Sequence, residues 1–240
     1  MQTPLIREKF MRPTSARFFV GLLVIPAIVA LLGKTATANI VDAAVPLPAA
    51  TVDAPLASAR GEETAVFAGG CFWGVEAVFE HVKGVKSAVS GYSGGTSVNP
   101  SYSQINTGQT GHAEAVRVVY DPSQVTYGQL LRIFFSVAHD PTQLNRQGPD
   151  AGTQYRSAIF YRNDSQKRIA TAYVDQLTKG KFFRKPIVTQ IASLSRFNVA
   201  EEYHQDYAAA NPTSMYIVIN DAPKVANLKK TMKEFYRETK

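Results

Sequence analysis

A single cysteine, Cys71, is the tightest constraint on this chain. With one thiol in 240 residues no internal disulfide can form, so a buried core must hold the fold. The hydrophobic content of 45% suffices for one good core, and the length does not demand two large domains. The constraint sharpens because the N-terminus is laid out for export. Arg7, Lys9, Arg12 and Arg17 precede an apolar run from Phe18 to Leu32, and Ala36-Thr37-Ala38 follows as a small-x-small cleavage site. The run holds 15 residues with Pro26 inside it, short for a hydrocarbon layer of ~30 Å. Residues 1–38 therefore read as a signal peptide, with an uncleaved N-terminal anchor as the alternative, and the expected location is the periplasm. Exported chains usually pair their cysteines. An odd one implies an intermolecular bond or a free reactive thiol, unless it is a buried small hydrophobe.

The formal charge of +7 sits largely in that leader, where five basic residues oppose only Glu8. The remaining residues carry 21 basic and 18 acidic groups, so charge does not make the body a nucleic-acid binder. A membrane contact is expected only if the leader stays uncleaved. Residues 39–60 are rich in Ala and Pro (Pro46, Pro48, Pro55) and read as a flexible linker; the folded body is expected over 61–240.

Within the body, the patterns predict strands at Thr64–Phe67, Val85–Gly91, Ala115–Tyr120, Ser157–Tyr161 and Ile187–Ile191. Helices are predicted from Phe72 to about Val82, over Thr126–Ala138, from Asp164 to about Leu177 and over Lys224–Tyr236. The segment from Tyr92 to Gly111 reads as loose, and His139–Gln154 as a long functional loop. This order suits an α+β fold: a two-layer sheet-and-helix sandwich of the split βαβ, ferredoxin-like kind, with irregular extensions.

Cys71 lies in Gly69-Gly70-Cys71-Phe72-Trp73-Gly74, between a predicted strand and a predicted helix. A thiol at a helix N-terminus meets unpaired N–H groups and the positive end of the dipole, so a lowered pKa is expected. The glycines permit close approach to the backbone, and Phe72 and Trp73 offer a polarisable wall suited to a thioether methyl group. A nucleophile needs a proton partner. Gly111-His112-Ala113-Glu114 would bring Glu114 to the sheet end. An H-x-E start also opens the zinc deaminase signature, but the cysteine pair that signature needs is missing, and His81, His112, His139 and His204 show no ligand spacing. His81 and His139 read as solvated helix ends. Two other readings stay open on the residues alone: a Cys–His hydrolase or acyltransferase using His112 or His204, and a binding module with an inert cysteine.

Taken together, the segments resemble the A-type peptide methionine sulfoxide reductases. The resemblance rests on Gly70-Cys71-Phe72-Trp73-Gly74, Gly91-Tyr92-Ser93-Gly94-Gly95 and Asn99-Pro100-Ser101-Tyr102. It continues through Thr110–Val116, Gln147-Gly148-Pro149-Asp150, Gly152–Ser157 and Tyr203-His204-Gln205 with Tyr207, in order over about two-thirds of the chain. The resemblance implies a catalytic domain over 61–240 in which Cys71 attacks the sulfoxide sulfur. It further implies that Phe72 and Trp73 hold the methyl group, that Glu114 protonates the oxygen, that Tyr102 and Tyr155 hydrogen-bond that oxygen, and that Asp150 orders a water or the intermediate. Its substrates would be the S epimer of methionine sulfoxide, free and in oxidised proteins. No metal, flavin or nicotinamide is expected, and Cys71 would pass through a sulfenic acid. The departure is in regeneration. Position 106 and the C-terminal tail lack the cysteines that many members use, so an external thiol reductant is implied: thioredoxin, glutaredoxin with glutathione, or a periplasmic equivalent.

Overall fold

The computed structural model describes residues 47–239; the leader and the first part of the expected linker lie outside them. In chain order the elements are β1 (Glu63–Gly69), α1 (Phe72–Glu80), β2 (Val85–Ser93), α2 (Tyr102–Asn106), β3 (Ala113–Tyr120) and α3 (Tyr127–Ile133). A π-helical turn, Phe134–Ala138, prolongs α3. Then follow β4 (Arg146–Gln147), β5 (Asp150–Ala151), a short 3-10 turn, β6 (Ser157–Tyr161) and α4 (Asp164–Lys179). The chain closes with β7 (Gln190–Ser193), β8 (Phe197–Val199), α5 (Tyr207–Ala210) and α6 (Ala222–Thr231).

The six-stranded sheet runs β7-β6-β1-β3-β2-β8. Its central four, β6-β1-β3-β2, are mutually antiparallel, which is the split βαβ arrangement expected from the order of elements. β7 adds in parallel to β6, and β8 adds antiparallel to β2. Period-two alternation sorts the strands into two faces. Ala65, Phe67, Val116, Val118 and Ile159 join α1, α3, α4 and α6 in one core, while Val66, Ala68, Ala113, Ala115 and Phe160 form a smaller cluster. At the centre, Phe67 stacks between Phe79 (5.3 Å) and Phe134 (5.0 Å).

Three expectations shift. The loose segment contains more order than its composition shows: β2 continues to Ser93, and Ser101 with Gln104 forms a capping box that starts α2. The long loop after α3 contains the β4–β5 hairpin, turned at Gly148 with φ +56°. His139 is not a solvated helix end. It is 6% exposed, stacks on Phe134 and pairs its ring nitrogens with the Phe134 carbonyl and the Ser157 hydroxyl.

The described part of the expected linker is docked rather than free. Leu47 is 2% exposed, and its carbonyl accepts a bond from Arg132 Nε at 2.8 Å. Tyr173 donates to the Pro48 carbonyl, and Gln176 bonds Ala49 and Thr51. Asp53 completes the start of α3: its carboxylate takes the Gly128 N–H at 2.9 Å and the Thr126 hydroxyl. Composition concealed this because each bond goes to a partner about 75 or more residues away in sequence.

Candidate active site

The site forms where β1 ends against α1. Gly69 and Gly70 carry the chain off the sheet, and Gly70 adopts φ +91°, which L side chains rarely tolerate. A Cβ there would meet the Gln147 side chain at 2.3 Å, so the glycine lets the β4–β5 hairpin close over the strand end. Cys71 follows as the N-cap of α1 and is 7% exposed.

Glu114 lies at the second position of β3, facing Tyr92 across the β2–β3 ladder. Alternation puts it on the face of Val116 and Val118, beneath the start of α1, where it is 1% exposed. Its Oε2 accepts the Phe72 N–H at 3.0 Å, a helix-terminal donor that would otherwise be unsatisfied. Burial pushes the carboxyl up to about 8; the Phe72 bond opposes this, and Asp150 and Asp221 add to it. The group is thus an acid carrying its proton at neutral pH, one residue from the thiol's own position on the helix.

The expected lowering of the thiol is overridden. The Trp73 N–H and Lys224 do favour thiolate, but burial pushes Cys71 well above the usual range, and Glu114 and Asp221 push the same way. The helix end is present; its desolvation decides the sign.

The remaining expected residues converge on this point. Phe72 is buried, and its ring lies 6.4 Å from that of Trp73. Trp73 stacks on Tyr207 at 3.8 Å, meets Tyr216 edge-on at 5.7 Å and donates from Nε1 to His204 Nδ1 at 3.3 Å. Tyr102 and Tyr155 are both raised by burial, with the charges of Glu114 and Cys71 acting on each. Asp150, at the start of β5, accepts a bond from the Tyr216 hydroxyl; burial raises it, and Tyr216 and Lys224 draw it back.

Neither histidine of the hydrolase reading serves Cys71. His112 holds the Gly94-Gly95 loop, with Nδ1 accepting from Gly95 N–H (3.2 Å) and Nε2 on the Ser97 carbonyl (2.8 Å). His204 Nδ1 is taken by Trp73, and burial lowers this imidazole. Among the described residues no group of three or more His, Cys, Asp or Glu side chains is gathered as metal ligands.

Several residues here were not anticipated from sequence. Glu201 accepts the Tyr102 N–H and the Tyr92 hydroxyl, both at 2.8 Å, and so fixes α2 against the sheet. Asp221, 1% exposed, pairs with Lys224 at 3.1 Å beneath Gly74. Tyr207 and Tyr216 build the far wall of the Trp73 slot. Tyr207 sits in a segment that carried the resemblance, but Glu201, Tyr216 and Asp221 stand in no local pattern that could have marked them.

A lone buried thiol at a helix start, beside a protonated carboxyl and an aromatic slot, defines a cysteine-dependent oxidoreductase site without a paired thiol. Residues 63–236 match the family model described as peptide methionine sulfoxide reductase, and the chain belongs to that family. It is an oxidoreductase that reduces methionine sulfoxide with thiols, a protein-repair activity. It is 61% identical over 181 residues to peptide methionine sulfoxide reductase MsrA 2 of Mesorhizobium japonicum, covering 75% of this chain and 93% of that one. It is 52% identical to MsrA of Deinococcus radiodurans, covering 70% and 81%. Among solved structures it is similar to methionine sulfoxide reductase A of Corynebacterium diphtheriae (38% identity, TM-score 0.56, covering 70% and 82%). It is also similar to reduced Mxr1 of Saccharomyces cerevisiae (31% identity, TM-score 0.59, covering 71% and 96%).

Proposed function

We propose that Cys71 is the nucleophile and Glu114 the proton donor in reduction of the S epimer of methionine sulfoxide. The observation that carries this is the buried Glu114 carboxyl bonded to the first N–H of the helix that Cys71 caps, where burial favours its protonated form. The substrate methyl group rests between Phe72 and Trp73, which directs the sulfoxide sulfur at Cys71 and its oxygen at Glu114, Tyr102 and Tyr155. Cys71 Sγ attacks the sulfur while Glu114 protonates the oxygen, and the thiol proton restores Glu114. The oxygen passes to Cys71 as a sulfenic acid and methionine leaves; two electrons move from the cysteine sulfur to the substrate sulfur. Asp150, held by Tyr216 and lining the same cavity as Cys71, orders water or the rearranging intermediate. A raised thiol pKa suits this scheme, since the proton leaves only as the oxygen takes one up.

The test is turnover of each epimer of a blocked methionine sulfoxide with dithiothreitol. Wild type is expected to consume only the S epimer, and Cys71→Ser neither. Turnover by Cys71→Ser, or of the R epimer alone, would overturn the assignment. The reading also includes export to the periplasm with cleavage after Ala38, supported by the order of charge, apolar run and small residues in 1–38. Mass analysis of the protein recovered from the expressing cell tests it: a mature start at Asn39 is expected, and an intact leader would overturn cleavage in favour of an anchor. Among the described residues no helix is long and apolar enough to cross a membrane.

A further inference from the structure

Cys71 borders a second space. A cavity of about 810 Å³ reaches it from the side of the β4–β5 hairpin; it shares Asp150 and Tyr216 with the site described above, but its walls include none of Phe72, Trp73, Tyr102, Glu114 or Tyr155. Its walls include Cys71, Gln147, Tyr216 and Lys224, together with Arg184 and Lys185 on the segment after α4. That volume is in the range of small-molecule sites, roughly 300–1,000 Å³. Its charged lining is mixed: Asp140 and Asp150 stand against Arg184, Lys185 and Lys224. Asp140 is tied to Thr142 and Gln143, Asp150 to Tyr216, and Lys224 to Asp221. Arg184 and Lys185 are exposed and, among the described residues, form no ion pair with an acid.

The chain brings no thiol of its own to this space. Its C-terminal segment is bound at the opposite end of α1, where Arg237 Nε bonds the Glu80 carbonyl and Val82 bridges to Tyr236. A nine-residue helix, about 13 Å at 1.5 Å per residue, lies between that anchor and Cys71.

We infer that this cavity is the docking site of the thiol that regenerates Cys71, and that it selects a small thiol carrying carboxylates, which Arg184 and Lys185 receive. The inference rests on the sulfenic acid reading above. The thiol sulfur attacks the Cys71 sulfenic sulfur, forming a mixed disulfide and releasing the oxygen as water. A second thiol then attacks the small-molecule sulfur, passing its proton to the departing Cys71 sulfur and leaving a disulfide between the two external thiols. The cavity and the aromatic slot meet at Cys71 and share Tyr216, so the incoming thiol reaches the cysteine from the hairpin side.

The test compares glutathione with its diethyl ester, which keeps the thiol and removes both carboxylates. Cys71 sulfenic acid is formed by one equivalent of methionine sulfoxide without reductant, confirmed by mass, and mixed-disulfide formation is followed by mass. Wild type is expected to react about tenfold faster with glutathione than with the ester. The exposed double variant Arg184→Glu, Lys185→Glu should bring the two thiols to within about twofold. No preference in wild type, or the same preference in both proteins, overturns the inference. So does a higher KM of the variant for a sulfoxide peptide with acidic flanks and an unchanged thiol preference, which would give the cavity to the substrate chain. If methionine sulfoxide leaves Cys71 unoxidised but peroxide converts it, the function reading fails, and the thiol comparison on the peroxide-made sulfenic acid still reads the cavity.

Discussion

The proposed chemistry turns on two side chains, Glu114 and Cys71, whose protonated forms the fold favours by burying them. Glu114 in water would be a base at neutral pH; buried beneath α1 it is an acid up to about 8. Activity is therefore expected to hold below that pH and fall as it rises through about 8, which a kcat/KM profile would show. Glu114→Gln keeps an oxygen for the Phe72 N–H but has no proton to give. Its turnover should drop by roughly 10²-fold or more, with the alkaline limb gone, as expected for loss of a general acid. Stability follows the same proton. The folded state holds it between the unfolded value near 4.3 and about 8, so this contribution is full at acid pH and is lost as pH rises through about 8. Urea unfolding at pH 9 should accordingly find Glu114→Gln more stable than wild type, and equal or lower stability would count against a buried, raised carboxyl. The thiol teaches the complementary lesson. Position at a helix start argued for thiolate, but that argument depends on a dielectric the sequence does not show.

At the scale of elements, the site depends on short pieces held at strained or close-packed points. Gly70→Ala would place a methyl group at positive φ and against Gln147, pushing the β4–β5 hairpin away from the strand end. The expected result is a stability loss of about 1–3 kcal/mol by thermal or urea unfolding, together with reduced kcat. The α2 segment depends on a contact from far along the chain. Glu201→Gln removes the charge that holds the Tyr102 N–H and the Tyr92 hydroxyl. Its effect should appear in KM and kcat for the sulfoxide more than in stability. Regular elements were readable because their periodicity is local: β1, β3, α1 and α3 lie where the apolar spacing puts them. The capping box of α2 and the β4–β5 hairpin were hidden in polar, glycine-rich stretches whose order comes from what they pack against.

For the whole molecule, the docked segment 47–54 changes where the folded unit begins. It supplies the Asp53 cap of α3 and buries Leu47 against the α3–α4 layer. Leu47→Ala in the full chain is expected to cost about 2–5 kcal/mol of unfolding free energy, the range for a large-to-small change in a core. A free linker would show no change. The four ion pairs among the described residues carry little of this stability, since three lie at least partly in solvent; a core built without disulfides does.

The sequence by itself determined the class of fold, the family to which its motifs belong, and the lack of an internal partner for Cys71, because each is written in local spacing, in ordered motifs or in a count. The tertiary structure alone decided that the Cys71 thiol is raised rather than lowered, that Glu114 keeps its proton, and that Glu201, Tyr216 and the Asp221–Lys224 pair frame the site. Those outcomes are set by desolvation and by contacts between distant segments, and neither quantity exists until the chain has closed around them.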